Sequence, residues 1–190
     1  GDGSYVLQDF LRGQHGTEWA TGLHAANDTL VLLSATALSF ISVNASSIGS
    51  AKTYRAITTG KALDSDADLS FTYTGVNLKC LSPVALTGNR HPSTNDWTLT
   101  WTRRSRYPGW RDYVDAALGE ASESYEIEIY SNGTYTTLKR TLTASSATAA
   151  YTSAQQVTDF GSNQATLYLK VYQLSATVGR GYALTQSITR

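Results

Sequence analysis

The sequence is short of the residues that cross-link a fold or give it a strong charge. It has one cysteine, Cys80, three prolines and no methionine. A single cysteine excludes an internal disulfide bond and a cysteine-based zinc cluster, so packing alone must stabilise the fold. Charged residues make up only 16% of the chain, and 15 basic residues balance 15 acidic ones. The chain therefore has no overall field that would attract nucleic acid or an anionic membrane.

Long apolar stretches and a basic leader are also missing. No apolar run approaches the roughly 20 residues that a membrane-spanning helix needs, and no basic segment followed by an apolar one opens the chain. The sequence thus predicts no membrane span. Hydrophobic residues still make up 41% of the chain, which excludes a disordered tail and predicts a folded core. Because methionine is absent even from position 1, we expect the chain to be a piece of a longer protein.

Alternation of apolar and polar residues is the main pattern that is present, and it predicts β-strands. Trp97, Leu99 and Trp101 fall on one face of a strand, with threonines on the other. Further strands are predicted at residues 124–130, 134–138, 165–174 and 182–189. An Asn-Gly pair at 132–133 predicts a tight two-residue turn of a hairpin. We expect Trp101 and Ile127 to face each other across a sandwich of two sheets.

The first 80 residues show a less regular pattern. Residues 6–11 have the apolar spacing of one or two helical turns ended by Gly13, the only helical segment that the pattern predicts. Short strands are predicted at residues 28–33, 38–43, 52–58 and 69–74. A domain boundary is placed near Pro83, which opens the next strand. The predicted fold class is all-β, with a small β domain and its short N-terminal helix over residues 1–80 and a β-sandwich over residues 81–190.

The second of these domains resembles a fibronectin type III domain, an immunoglobulin-like sandwich of about seven strands. The residues that carry the resemblance are Ser82, Pro83, Trp101 and the segments 125–129, 169–172 and 179–181. Two departures accompany it. Leu167 stands where the family usually has its corner tyrosine, and residues 108–123 make the connection between the second and third strands longer than usual.

A second resemblance extends over nearly the whole chain. Its motifs lie, in order, at residues 10–18, 81–84, 99–106, 118–120 and 173–181. They are similar to the C-terminal part of the tail-hub or host-specificity protein of siphophages and gene transfer agents, also called the megatron protein. The resemblance implies a structural, non-enzymatic virion protein of the phage tail tip or baseplate. It also implies a homotrimer within the parent particle, contacts with other tail-tip proteins, and recognition of a host-surface glycan or receptor.

The connection over residues 108–123, called the insert below, carries the candidate contact surface together with the residues just before it. Aromatic side chains and arginines are combined there, a composition enriched at binding hot spots. The candidate residues are Arg104, Arg106, Tyr107, Trp110, Arg111 and Tyr113. Acidic residues at 112, 115, 120 and 123 can neutralise the arginines, which favours local pairing or subunit contact over nucleic-acid binding.

Three roles remain open for the aromatic residues of the insert. They can pack over the end of the sandwich, contact a neighbouring subunit, or stack on a sugar ring. The last of these would make the chain a carbohydrate-binding module, which is the main alternative to a structural tail protein. A third class, an accessory domain of a secreted hydrolase, is also compatible with the sequence.

Residues that could bind a metal ion or catalyse a reaction lack the necessary spacing. His15, Glu18 and His24 do not have the spacing of a zinc protease helix. Residues 64–68 begin like a calcium loop, but the glycine and the glutamate that an EF-hand requires further along are missing. No nucleophile motif and no phosphate-binding glycine loop occurs. The sequence therefore predicts no catalytic residue, no cofactor and no metal site.

Overall fold

A computed structural model describes residues 6–34, 36, 38–64, 66–107 and 117–190 of the chain. Its strands are β1 (Ala51–Tyr54), β2 (Leu69–Thr72), β3 (Val84–Arg90), β4 (Trp97–Thr102), β5 (Tyr125–Tyr130), β6 (Leu138–Ala144), β7 (Thr148–Tyr151), β8 (Thr166–Ser175), β9 (Gly179–Arg180) and β10 (Leu184–Thr189). The helices in these ranges are α1 (Ser153–Phe160) and short 3-10 helices at Gln14–Gly16, Glu18–Ala20, Ala45–Ser47 and Val76–Leu78.

Two antiparallel sheets form a β-sandwich in the C-terminal part of the chain. The larger sheet has the strand order β10-β8-β5-β6, with the short β9 also paired to β8. The smaller sheet has the order β3-β4-β7. Two facing sheets that together supply about seven principal strands define the immunoglobulin-like and fibronectin type III-like sandwiches. The predicted all-β fold class is therefore confirmed.

The core of the sandwich follows directly from the alternating pattern of its strands. On β4, the side chains of Trp97, Leu99 and Trp101 are buried and the threonines between them are exposed, as predicted. Ile127 on β5 is also fully buried, so Trp101 and Ile127 enter one core from opposite sheets. On β8, every second residue from Leu167 onward is buried. Burial of these large side chains is the main source of stability.

The hairpin that joins β5 to β6 differs from the prediction. The strands pair, but the connection runs from residue 131 to residue 137 instead of turning at the Asn-Gly pair, so the strand predicted at 134–138 is wrong and the second strand begins at Leu138. The Asn132 side chain accepts a hydrogen bond from the Thr134 N–H at 3.1 Å, and Tyr135 adopts a positive φ of 53°. The Asn132 side chain therefore stabilises a wider loop. The residue with a left-handed backbone conformation in this loop is Tyr135, and not a residue of the Asn-Gly pair as a tight two-residue turn would require.

The helix is also placed differently from the prediction. Residues 6–11 form no helix, and the α-helix is α1, between β7 and β8. Its first turn has a capping box, in which Thr152 accepts from the Gln155 N–H and the Gln155 side chain accepts from the Thr152 N–H. Helices this short depend on capping and tertiary packing. The apolar side chains of residues 6–11 are exposed, so the described part of the chain gives a helix here little apolar surface to bury against.

The first 80 residues contain little regular structure within the described ranges. Their strand pair is β1 with β2, which are shorter than the predicted strands at 52–58 and 69–74. The segments at 28–33 and 38–43, which were expected to be strands, have no strand partner among the described residues. Strands need a partner for their backbone groups and a surface on which to bury their apolar face. Among the described residues of one copy, the segments at 28–33 and 38–43 have no strand partner, and their large apolar side chains are exposed.

Candidate functional site

The insert is anchored to the sandwich by an ion pair across its two ends. Arg106 donates a hydrogen bond to the Glu120 carboxylate and another, of 3.0 Å, to the Gly119 carbonyl oxygen. Only 5% of the Glu120 side chain is exposed. Burial would raise the pKa of Glu120, but hydrogen bonds from Arg106, Ser175 and Cys80 outweigh this and hold the pKa below its ordinary value. Arg106 is thus a structural anchor, in agreement with the local pairing expected from the charge pattern.

A second contact joins the two ends of the insert. The Tyr107 ring packs against Gly119, where a Cβ atom would lie 2.6 Å from a ring carbon. Gly119 also has a φ of +69°, so both its conformation and its contact favour glycine. The Arg106 guanidinium lies 5.3 Å from the centre of the Tyr107 ring. We call Arg106, Tyr107, Gly119 and Glu120 the insert base. Within it the Tyr107 side chain remains 53% exposed and available for contact.

Arg104 holds the N-terminal segment onto the sandwich. Its Nη2 atom lies 2.5 Å from Oε1 of Glu18. This hydrogen bond lowers the pKa of Glu18. Next to Glu18, the Trp19 ring stacks on the ring of Tyr182, which follows β9. Arg104 therefore acts as a tether between segments that are far apart in sequence, and its charge is already paired.

The other three candidate residues, Trp110, Arg111 and Tyr113, lie outside the described residues. The structure therefore places half of the candidate contact surface: two paired arginines and one exposed tyrosine. Arg103, which precedes these residues, lies 3.9 Å from the carboxylate of Glu123. Two arginine–glutamate pairs, Arg103 with Glu123 and Arg106 with Glu120, thus join the residues before the insert to its C-terminal end.

Cys80 lies beside the insert base and touches the last hairpin. Its thiol donates to Glu120 at 3.4 Å, and burial together with that carboxylate raises the pKa of the thiol to about 12. The Cys80 carbonyl oxygen accepts a hydrogen bond of 3.0 Å from the Tyr182 N–H. A Cβ atom on Gly181 would lie only 2.5 Å from that oxygen. The thiol is therefore a packed structural group without the thiolate character that nucleophilic chemistry needs.

A cleft of about 510 Å³ opens next to the insert base. Its walls come from the N-terminal segment, from β2 with the 3-10 helix after it, and from the sandwich. The aromatic lining residues are Phe71, Tyr73 and Tyr182, joined by Lys79 and Arg106. Sequence analysis did not identify this cleft, because its lining residues are brought together by packing and share no local motif.

The outer face of the larger sheet carries a cluster of tyrosines that sequence analysis also missed. The Lys170 ammonium lies 5.0 Å from the Tyr130 ring centre and 5.6 Å from that of Tyr135. Tyr135 packs edge-on against Tyr168. The alternation of Tyr168, Lys170 and Tyr172, opposite the buried residues of β8, was a signal that could have indicated this face. Tyrosine supplies large contact area at low entropic cost, which suits a contact surface.

The residues considered for metal binding do not meet in the described structure. Glu18 is paired with Arg104, whereas His24 lies 3.8 Å from Asp28. The His15 side chain lies outside the described part of the chain. Asp68, from the stretch that resembles a calcium loop, pairs with Arg55 at 2.5 Å. Among the described residues, no three histidine, cysteine or acidic side chains are grouped closely enough to hold a metal ion.

Comparisons with known proteins add a structural similarity. No protein-family model and no curated protein matches the sequence. Among solved structures, the crystal structure of the FN5 domain of Drosophila Lar is similar over 57% of this chain and 96% of that domain, with 13% identity and a TM-score of 0.31. The sandwich assignment itself rests on the strand order and the core described above. In the described ranges, no helix has the length and apolar character needed to cross a membrane.

Proposed function

We propose that this chain is a structural, non-enzymatic module of a phage-like tail tip or tail hub, where it contributes to assembly. The observation that carries the proposal is the amount of surface that a single copy leaves uncovered. The chain exposes 13107 Å². A compact monomer of 20.5 kDa would expose about 8,900 Å² according to the usual scaling of area with mass. This excess of about 4,200 Å² indicates that part of the chain is not packed against the rest, and obligate interfaces, which bury about 2,000–5,000 Å² summed over both partners, would cover a large share of it.

The uncovered surface is apolar and is concentrated in one part of the chain. Among the described residues, every exposed large hydrophobic side chain precedes residue 80 except Val84, Tyr107, Leu138 and Val157. Isolated exposed apolar side chains are ordinary, whereas a contiguous set of them is typical of an interface. The first 80 residues are therefore interpreted as an assembly element and the sandwich as its rigid support.

The insert is the second proposed contact surface. The insert base holds together the residues on either side of the segment 108–118, whose sequence includes Trp110, Arg111 and Tyr113. Functional contacts are commonly made by loops in such positions. The resemblance to tail hubs supports a homotrimer, other tail-tip proteins as partners, a location in the virion, and contact with a host-surface glycan or receptor.

A carbohydrate-binding module remains the alternative function, and one observation favours it. Arg106, whose guanidinium lies 5.3 Å from the centre of the exposed Tyr107 ring, lines a cleft together with Phe71, Tyr73 and Tyr182. Aromatic faces of this kind can stack on sugar rings. This function predicts binding to a glycan by an isolated copy of the chain, without any assembly partner.

Replacement of residues 108–116 by a short Gly-Ser turn tests the proposal, because it leaves the insert base intact. We expect the isolated chain to remain folded, while the parent particle fails to assemble or to adsorb. The control is a Gly-Ser segment of the same length as the replacement turn, inserted at the exposed turn of residues 145–146. Normal assembly and adsorption with the shortened insert would contradict its proposed role. Glycan-array binding that is lost in Trp110→Ala, with assembly intact, would favour the carbohydrate-binding module.

A further inference from the structure

The part of the chain between Asp28 and Lys52 has an unusual composition. Residues 29–51 contain no charged residue and no proline. Two segments within this stretch, at 29–33 and 38–43, have the apolar and β-branched composition of strands. Their large apolar side chains are exposed: Leu30 65%, Val31 68%, Leu32 79%, Leu33 68%, Leu38 40%, Phe40 92%, Ile41 67% and Val43 36%.

The backbone of these two segments also lacks partners among the residues that the structure describes. Residues 29–33 and 38–43 form no backbone–backbone hydrogen bond with other described residues. Proteins usually protect an exposed strand edge with lysine, proline or a bulge, because an unprotected edge pairs with other chains. Neither lysine nor proline occurs here, which indicates that the segments are covered in the functional state.

The absence of charge helps to identify what covers them. A nucleic acid, an acidic peptide or an anionic membrane would be matched by basic residues, and this stretch has none. An uncharged strand meets no electrostatic repulsion when it pairs with an identical strand. Closed symmetric assemblies of identical chains are also the usual way in which such surfaces are buried. A second copy of the same chain is therefore the partner that fits best.

We propose that residues 29–33 and 38–43 form intermolecular β-strands with the same segments of a second copy of this chain. This proposal rests on the proposed function as an assembly module and specifies the segments that join the copies. The exposed backbone groups are then hydrogen-bonded, and part of the excess of about 4,200 Å² calculated from the area scaling is buried. The sandwich contributes no residue to this contact.

The test measures mass and amide hydrogen exchange on the whole 190-residue chain over a range of concentrations. We expect a single oligomer of defined stoichiometry, with exchange at residues 29–33 and 38–43 at least tenfold slower than in the dilute monomer. On dilution, the protection of these amides from exchange should fall together with the measured mass of the oligomer. Protection that persists in the monomer would overturn the proposal, because it would show pairing of the two segments within one chain.

Two charged variants and a matched control complete the test. Leu32→Lys and Phe40→Lys place a charge on exposed side chains and should abolish both the oligomer and the protection. Leu63→Lys, at a side chain that is 70% exposed outside the two segments, should retain both. The unfolding midpoint of the sandwich should stay unchanged in all three variants, which separates lost pairing from lost folding.

The remaining outcomes separate this proposal from the proposed function. An oligomer whose residues 29–33 and 38–43 exchange rapidly overturns the intermolecular strands but leaves an assembly role through another surface. A chain that stays monomeric at 100 μM, or that forms aggregates without fixed stoichiometry, also overturns the pairing. Particle assembly with the shortened insert then tests independently the part of the proposed function that is assigned to the insert.

Discussion

The indole ring of Trp19 stacks on the phenol ring of Tyr182, with ring centres 5.5 Å apart and planes inclined by 16°. This contact joins the N-terminal segment to the connection between β9 and β10, close to the tether between Glu18 and Arg104. The two contacts together hold residues 14–21 on the sandwich. Because the Trp19 ring is partly exposed, we expect the stack to stabilise this segment and to contribute little to the stability of the whole fold.

Trp19→Ala should therefore release the N-terminal segment without unfolding the sandwich. An aromatic pair contributes about 0.5–1.5 kcal/mol beyond the burial of its area. We expect amide exchange at residues 14–21 to accelerate severalfold, while the midpoint of global unfolding changes little. Leu23→Ala, at an exposed position in the same region, is the control and should leave the exchange rates unchanged. Equal acceleration in both variants would show that the stack does not hold the segment.

Trp101→Ala tests the assignment of faces on β4. The Trp101 side chain is 5% exposed and packs edge-on against Tyr125, with ring centres 5.1 Å apart. Its truncation should lower the free energy of unfolding by about 3–5 kcal/mol. The neighbouring Thr100 is exposed, and its hydroxyl group shares a hydrogen bond with Thr87. Thr100→Ala should cost about 0.5 kcal/mol. Similar losses of unfolding free energy in the two variants, measured by urea unfolding, would contradict the assignment of Trp101 to the buried face of β4.

Glu120→Gln tests the ion pair of the insert base. Removal of one partner of a largely buried pair leaves the other partner uncompensated. We expect a loss of about 2 kcal/mol at pH 7, less than for a fully buried pair, because the Arg106 side chain remains 17% exposed. Glu18→Gln removes a more exposed carboxylate and should cost less.

The pH dependence of the same pair has a defined sign. The pKa of Glu120 is lowered in the folded state from an ordinary value of 4.5, so the unfolded chain binds its proton first as the pH falls. The stabilisation that the ionised Glu120 gives to the folded state is present above pH 4.5 and is lost as the pH falls through the folded-state pKa. The difference in stability between the native chain and Glu120→Gln should therefore shrink below pH 4.5. A difference that is constant from pH 7 to pH 3 in urea unfolding would contradict this.

Cys80 should be almost unreactive in the folded protein. Burial raises the pKa of its thiol from 9.0 to about 12, which lowers the thiolate fraction at pH 8 by roughly a thousandfold. Reaction with a thiol-specific disulfide reagent should be slow in buffer and rapid in urea. Comparable rates under the two conditions would show that the thiol is accessible and ionised.

The parts of the fold that the sequence predicts are those with local signals. The faces of β4 can be predicted because neighbouring residues alternate, and alternation is a property of the strand itself. Helix α1 was missed although Thr152 and Gln155 had the spacing of a capping box, a signal that depends on two residues only. The segment at 6–11 had a stronger helical pattern, but its apolar side chains are exposed in the described structure, so little packing supports a helix there.

The candidate site could be predicted only in part, because its geometry depends on contacts between distant residues. The charge pattern indicated local pairing of arginines with glutamates, and Arg106 with Glu120 is such a pair. The partner of Arg104 is Glu18, which lies outside the insert altogether. The cleft and the stack of Trp19 on Tyr182 likewise have no signature within a short window of sequence.

The close approach of Gly181 to Cys80 has a consequence for how this sandwich could be exchanged between proteins. The residue just before the predicted domain boundary accepts the hydrogen bond from Tyr182, and the space at Gly181 leaves no room for a side chain. Because the acceptor is a backbone carbonyl, any residue joined at position 80 supplies it, so a recombination event between residues 80 and 81 keeps this hydrogen bond wherever the new chain follows the same path. The side chain at position 80 is then free to differ, whereas position 181 favours glycine as long as the chain before residue 81 runs past it.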